Sequence, residues 1–393
     1  MKANTGSSIN QEPKLAGREA AEKAKKGLEN IKMAFVYASS DYCDLPAMLE
    51  GIREQLPGVP VIGHTSWRGV VLPEGFVGGS HFVGLMALAE DELTVGIGSA
   101  QSEGNAGAAI EAGRQAALAA MKNAGRDRPP DYFYMAAMPG FEEFYLKGIA
   151  RVIGRQPMFG GSAIDNQVTG DWDIYTHEGI VGYGLAVAFF YTEKPVTTLY
   201  TCAPYYETDE KLIITKMRTP RKLVAVEGLS ILDRFAEQSG CDREFLSGGD
   251  IQMATMLEPI GIKDRLGDLI ALRFPMNLSA DGTIDMGSNM AEGTVIIHMK
   301  ATVPDLVEAG GQQIEILADK MEAAPAAYHL SMSFGRMMAI ADEGLRDGAV
   351  KRILNGAGGV PFIMPLTLAE YGFEDDGLNT CGGLMLSYAG FSK

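Results

Sequence analysis

Hydrophobic residues in this chain gather in short strand-length runs, separated by stretches with helical spacing of apolar positions. "MAFVYASS" from Met33 is a continuous apolar run ending in serines, which predicts a buried strand. "LPAMLEGIREQL" from Leu45 repeats its apolar residues at helical spacing. "VPVIGHTSWRG", Val59 to Gly69, is a second apolar run ending in glycine and small polar residues, and "HFVGLMALA" from His81 is a third. The order is β-α-β-loop-β, preceded by a helical stretch from Lys14.

The same order returns twice. In the second copy "DYFYMAAMP" from Asp131 is a strand and "FEEFYLKGIARVI" from Phe141 a helix. "QPMFGGSAIDN", Gln156 to Asn166, is a strand and turn, and "GLAVAFFYT" from Gly184 closes the copy. The third copy reads "YHLSMSFG" from Tyr328, a helix within Arg336 to Asn355, "VPFIMPLT" from Val360 and "GGLMLSYAG" from Gly382. Self-similarity of this kind predicts one supersecondary unit used repeatedly. Strands joined through a helix should be parallel with a right-handed crossover, and the following strand can return antiparallel. Between copies two and three, "ILDRFAEQSG" from Ile231 predicts a helix capped by glycine, and "GDLIALRFPMN" from Gly267 a strand. "GTIDMGSNMAEGTVIIHMK" from Gly282 predicts two strands around an Asn/Gly turn, and "VPDLVEAGGQQIEILADKM" from Val303 a helix interrupted by Gly-Gly.

The expected fold is therefore α/β: repeated β-α-β-β units forming mixed sheets packed with helices, in two domains. The boundaries expected are an N-terminal helix and tail over 1–30, a first domain over 31–207, a connecting segment over 208–226 and a second domain over 227–393.

Composition narrows the function. The chain has 393 residues, 46% of them apolar and 21% charged, which is ordinary for a globular protein. A formal net charge of -16 argues against nucleic acid, whose phosphates need clustered Lys and Arg. The one basic stretch, Lys211 to Lys222, alternates as a strand with solvated charges; an anion site is the other reading. The N-terminus lacks the apolar segment of a secretory signal, and no apolar run approaches the roughly 20 residues needed to cross a bilayer. Membrane insertion is not expected. The four cysteines, Cys43, Cys202, Cys241 and Cys381, show no metal or disulfide spacing, so a cytoplasmic setting is the expectation.

The order of these motifs resembles the FIST family, a sensory module with an N-terminal and a C-terminal domain, over about Lys32 to Gly390. Gly63 to Ser66 and Gly160 to Ala163 match its N-domain turns, and Asp281 to Ile296 matches a C-domain strand. Gly335 and Arg336 match a "GR" step, and Glu370, Asn379 and Thr380 the steps that follow. The chain departs from the pattern at Ser333, close to where a cysteine is common, at Ala369 and Gly69, and at "MPLT" in place of a glycine turn. The resemblance implies a ligand-sensing unit for small molecules such as amino acids. The family's usual fused output domains do not fit in this chain, so a signalling protein partner is implied.

The ligand-binding candidates follow from the strand-end turns. Arg336, after a strand and at a helix start, can hold a carboxylate in a two-pronged geometry, or pair with Glu370. His64, Thr65, Ser66, Gly161, Ser162 and Ser333 can offer hydrogen bonds to a ligand or simply build turns. Glu370 and Asn379 can take an ammonium group, orient Arg336 or lie in a solvated loop, and Thr380 beside them is a further ligand-binding candidate. No cofactor is expected, with His64 the one candidate for an axial haem ligand, and no metal site is expected. Enzyme signatures such as G-x-S-x-G, the P-loop and HExxH are absent, which leaves catalysis unassigned; proton-transfer, lyase or hydrolase chemistry on a small organic acid is the enzymatic alternative.

Overall fold

The computed structural model describes residues 1–240, 251–263, 268–279, 281–373 and 379–393. The apolar runs become the inner strands of three six-stranded sheets that share one strand plan. The first sheet is built on β2 (Ile31–Ala38) and β3 (Val61–Thr65), and the second on β8 (Tyr132–Ala137) and β9 (Met158–Ser162). The third is built on β22 (Pro325–Ser333) and β23 (Phe362–Thr367). All three pairs are parallel, as their helical crossovers require. The crossovers are α2 (Leu45–Gln55), α4 (Glu142–Ile153) and, in the third sheet, α8 (Phe334–Ala339) followed by α9 (Glu343–Ala357). The returning strands β6 (Val83–Ala89), β12 (Gly184–Tyr191) and β26 (Leu386–Ser392) run antiparallel to the first strand of each pair.

An outer strand completes each sheet: β1 (Lys2–Ser8), β7 (Thr94–Gln101) and β13 (Val196–Thr201). The first ten residues are thus not a tail. "KANTGSS" is polar enough to hide the strand, and its Gly6 lies where a Cβ would stand 2.2 Å from the Ala20 carbonyl of α1 (Pro13–Ala24).

Each unit lends a hairpin to another sheet. β4 (Gly69–Leu72) and β5 (Gly75–Gly78), which follow β3, join the third sheet beside β23. β10 (Ile174–Thr176) and β11 (Gly179–Ile180), which follow β9, join the first beside β3. β24 (Glu370–Phe373) and β25 (Asn379–Gly382), which follow β23, join the second beside β9. The exchange is closed, so residues of all three units meet in one core. Phe35, Tyr134, Phe159, His329 and Ile363 are fully buried there.

The recurring glycine has a steric cause. A Cβ on Gly63 would lie 1.6 Å from the Val36 carbonyl of the parallel neighbour, and one on Gly160 would lie 2.1 Å from that of Met135. The Gly-Gly step in α7 (Val303–Lys320) is also a close approach, with Gly311 against the Arg352 carbonyl of α9.

Between β13 and α7 an insertion, Tyr206–Lys300, forms its own antiparallel sheet. It contains β14 (Tyr206–Thr219), β15 (Lys222–Val226), β16 (Leu229–Ser230), β17 (Ile260–Lys263), β18 (Ile270–Arg273), β19 (Pro275–Leu278), β20 (Ile284–Met286) and β21 (Val295–Lys300), with helices α5 (Ile231–Ser239) and α6 (Ile251–Thr255). Residues 208–226, expected to connect two domains, belong to the β14–β15 pair of this sheet. The two strands expected around the Asn/Gly turn are β20 and β21; they do not pair with each other, β20 pairing with β15 and β19, and β21 with β14 and β17. β14 does carry its charges outward, and its turn into β15 brings Arg221 back toward the strand ends of the second sheet.

Candidate functional site

The carboxyl ends of β8 and β9 meet the insertion at a cleft of about 160 Å³. Such strand ends, next to helix starts, are where α/β folds place ligands. The first turn of α4 supplies Glu142 and Glu143, and Glu142 is only 1% exposed. Its Oε2 accepts from the Gly140 N–H at 2.9 Å and from Arg221 Nη2 at 2.6 Å, and its Oε1 accepts from the Ser162 hydroxyl at 3.1 Å. Arg221 Nη2 also donates to Glu143 Oε2 at 2.5 Å, and Nε donates to Asn289 Oδ1 at 3.0 Å. The Asn289 N–H in turn donates to Glu143 Oε1. Burial opposes the charge on Arg221, but the two glutamates outweigh it and raise the guanidinium pKa. Trp172, Phe274, Met276, Met286 and Leu368 give the cleft apolar walls.

Ser162 sits beneath this cleft. Its single proton goes to Glu142, so the Tyr371 hydroxyl, 2.5 Å away, is the donor in the bond between the two. Ser162 is fully buried with both bonding directions used, and it orients Glu142. Its neighbour Gly161 pairs with Glu370 across the β9–β24 junction, and a Cβ there would press on Thr367 at 2.6 Å.

The other candidates lie apart from this cleft. Arg336 is 3% exposed, and its Nε, Nη1 and Nη2 donate to the main-chain carbonyls of Leu384, Ala203 and Cys202. Its guanidinium also lies over the Tyr205 ring. The group expected to grip a carboxylate instead ties three backbone segments together, and burial lowers its pKa. Glu370 is not in a solvated loop. It is fully buried in β24, with Oε1 bonded to Thr367 Oγ1 and Oε2 accepting from the Met385 N–H, and burial pushes it up to about 8. The Ser333 hydroxyl accepts from the Leu384 N–H.

His64 is fully buried with its ring edge-on to Tyr37, and Nδ1 lies 2.8 Å from the Thr65 carbonyl. Burial pushes it down to about 4, so it is neutral near pH 7. Thr65 bonds to Asp173, which clamps β10 onto the first sheet, and Ser66 bonds to Gly69 and Leu366, which clamps β4 near β23. Asn379 donates to the Gln156 carbonyl, and Thr380 lines a separate cavity under the insertion sheet. Cys381 is buried, which raises its thiol pKa well above the usual value, and Cys241 lies outside the described residues.

Of the residues expected from the sequence, Ser162 and Gly161 lie next to this cleft, while Glu142, Glu143 and Arg221 were not among those expected. "FEEFYL" reads as an ordinary acidic helix start and "RTPRK" as a solvated turn. Their meeting depends on the insertion folding back over the second unit.

A model of the FIST N domain matches residues 32–228, half of the chain. The chain belongs to the FIST family. No curated protein matches this FIST-family sequence. Among solved structures, the FIST-family chain is similar to a cyanuric acid hydrolase from A. caulinodans, at 11% identity and a TM-score of 0.38, covering 100% of this chain and 99% of that one. A second cyanuric acid hydrolase structure gives 9% identity and a TM-score of 0.33 with the same coverage. Phosphoribosylformylglycinamidine synthase II from Thermotoga maritima gives 10% identity and a TM-score of 0.23, covering 99% of this chain and 72% of that one. Among the described residues no helix is long and apolar enough to cross a membrane, and no three His, Cys, Asp or Glu side chains are grouped to hold a metal ion.

Proposed function

We propose that this FIST-family chain is a sensory protein that binds a small amino-acid-like molecule in the cleft at Arg221 and Glu142, and signals through a protein partner. In this reading residues 227–393 act as its FIST C-like part. The observation that carries the proposal is the Glu142–Arg221–Glu143 group, joining the insertion to the β8–β9 strand ends inside an apolar-walled cleft. Arg221 Nη1 has no hydrogen-bond partner among the described residues and is free for a ligand carboxylate. The two glutamates leave the group one negative charge in excess, which favours a ligand that also carries an ammonium. A zwitterion meets both conditions, and about 160 Å³ suits a molecule of amino-acid size.

Binding there would draw the insertion toward the second unit, a route for passing the signal outward. A thermal-shift screen of amino acids and small dicarboxylates, followed by calorimetry, tests the proposal. The expected result is saturable binding of an amino acid that is recovered chemically unchanged, with Arg221→Ala weakening it by more than tenfold. Turnover of the stabilising compound would replace the sensory reading with the lyase or hydrolase alternative. A Soret band formed on adding haem, and lost in a His64 variant, would replace it with gas sensing. Equal affinity in Arg221→Ala would remove the cleft from the account.

A further inference from the structure

We infer that the cavity under the insertion sheet at Arg273 is a second ligand site, for a small molecule carrying a phosphate or carboxylate group. This cavity of about 720 Å³ is separate from the Arg221 cleft and is bounded by β17, β18, the turn before β21 and β25. Arg273 stands in its wall and is 9% exposed. Nη1 donates to the carbonyls of Cys381, at 2.8 Å, and Leu272, at 3.3 Å. Nε is buried with no acceptor. Among the described residues no carboxylate pairs with this guanidinium.

That combination needs an explanation. A guanidinium taken out of water keeps its charge, and buried charges are normally paired. Arg336, the other deeply buried arginine described above, spends Nε, Nη1 and Nη2 on main-chain carbonyls. Arg273 spends only Nη1 on carbonyls and faces a cavity with its planar fork incompletely used. A fork of this kind matches the paired oxygens of phosphate or carboxylate.

The neighbours suit an anion. Lys263 lines the same cavity and pairs, among the described residues, with the fully exposed Asp268 at 3.6 Å. Thr380 adds its side chain to the wall. Among the described residues Glu292 is the acidic one in the lining, and its Oε1 accepts from the Met217 N–H. Among the described lining residues the cations Arg273 and Lys263 stand against the carboxylate of Glu292, with Asp268 reaching Lys263 from outside the lining, in a chain whose net charge is -16. Ile262 and Ala271 supply apolar wall, so the oxyanion would ride on a larger body, up to nucleotide size.

The experiment titrates the full chain at low salt with inorganic phosphate in one arm and citrate in the other, followed by calorimetry. Saturable binding in either arm is expected and identifies the class of anion. Lys263→Ala should weaken it about fivefold and Arg273→Lys about tenfold or more, because lysine keeps the charge but loses the fork. Unfolding without anion is measured for each variant. If Arg273→Lys does not fold, Lys263→Ala and Thr380→Val, both at partly exposed positions, decide the matter. No saturable binding in either arm, or wild-type affinity in both of those variants, would overturn the site.

Discussion

Replacing Glu370 with glutamine should stabilise the protein near neutral pH, although it removes a charge that sequence alone would assign to a ligand or to Arg336. Glu370 is fully buried, and its pKa stands at about 8 against an ordinary 4.5, chiefly because burial penalises the carboxylate. Hydrogen bonding agrees with a protonated acid. Thr367 Oγ1 lies 2.7 Å from Glu370 Oε1 and 3.2 Å from the Met332 carbonyl, and one hydroxyl proton cannot serve both. A proton on Oε1 donated to Thr367, whose own proton goes to Met332, satisfies the chain, while Oε2 still accepts from Met385. Because the folded pKa is raised, the folded state holds a proton that the unfolded chain releases above about pH 4.5. The stability is therefore full below that pH and is lost as pH rises through about 8. At pH 7 the loss amounts to about 3 kcal/mol, from about 2.5 pH units at about 1.4 kcal/mol each. Glutamine can donate to Thr367 and accept from Met385 without that dependence. Urea unfolding of wild type and Glu370→Gln from pH 4 to 8.5 should give similar stabilities at pH 4 and a variant about 3 kcal/mol more stable at pH 7. Parallel curves, or a variant weaker at every pH, would show that the carboxylate is charged and needed.

Three further outcomes follow from the same packing. His64 and His329 are both held neutral by burial, His64 at about 4, so their stability is present above about pH 6.5 and lost as pH falls through the folded values; His64→Phe should recover up to about 3 kcal/mol at pH 4 in the same unfolding series. Arg336→Ala leaves the Leu384, Ala203 and Cys202 carbonyls without their donor, so unfolding should show a loss of about 2–4 kcal/mol while calorimetry shows unchanged affinity at the Arg221 cleft. Gly161→Ala forces a Cβ to 2.6 Å from Thr367 and 3.0 Å from the Ala369 carbonyl, and should cost about 1–3 kcal/mol in unfolding measurements.

Period and spacing in the sequence determined what depends on neighbours along the chain. The apolar runs at Met33, Val59, Asp131, Pro157, Tyr328 and Val360 became strands, and their helical links made each pair parallel. The FIST resemblance was legible from the ordered turns, "GGSA" among them. Tertiary structure decided everything that depends on which surfaces meet. It turned polar "KANTGSS" into a sheet strand, because pairing with β6 and the closeness of α1 outweigh its weak apolar signal. It passed each hairpin to a different sheet, since exposed sheet edges are covered by whatever segment the closed fold brings alongside. It also reversed the charges' expected roles. Arg336 and Glu370 each found partners in the backbone and neighbouring side chains of the core and form no ion pair among the described residues, while Arg221, in a stretch that reads as solvated, was carried by the insertion onto Glu142 and Glu143. Burial sets the energy of a charged group, and burial is a property of the assembled fold, which local sequence spacing does not specify.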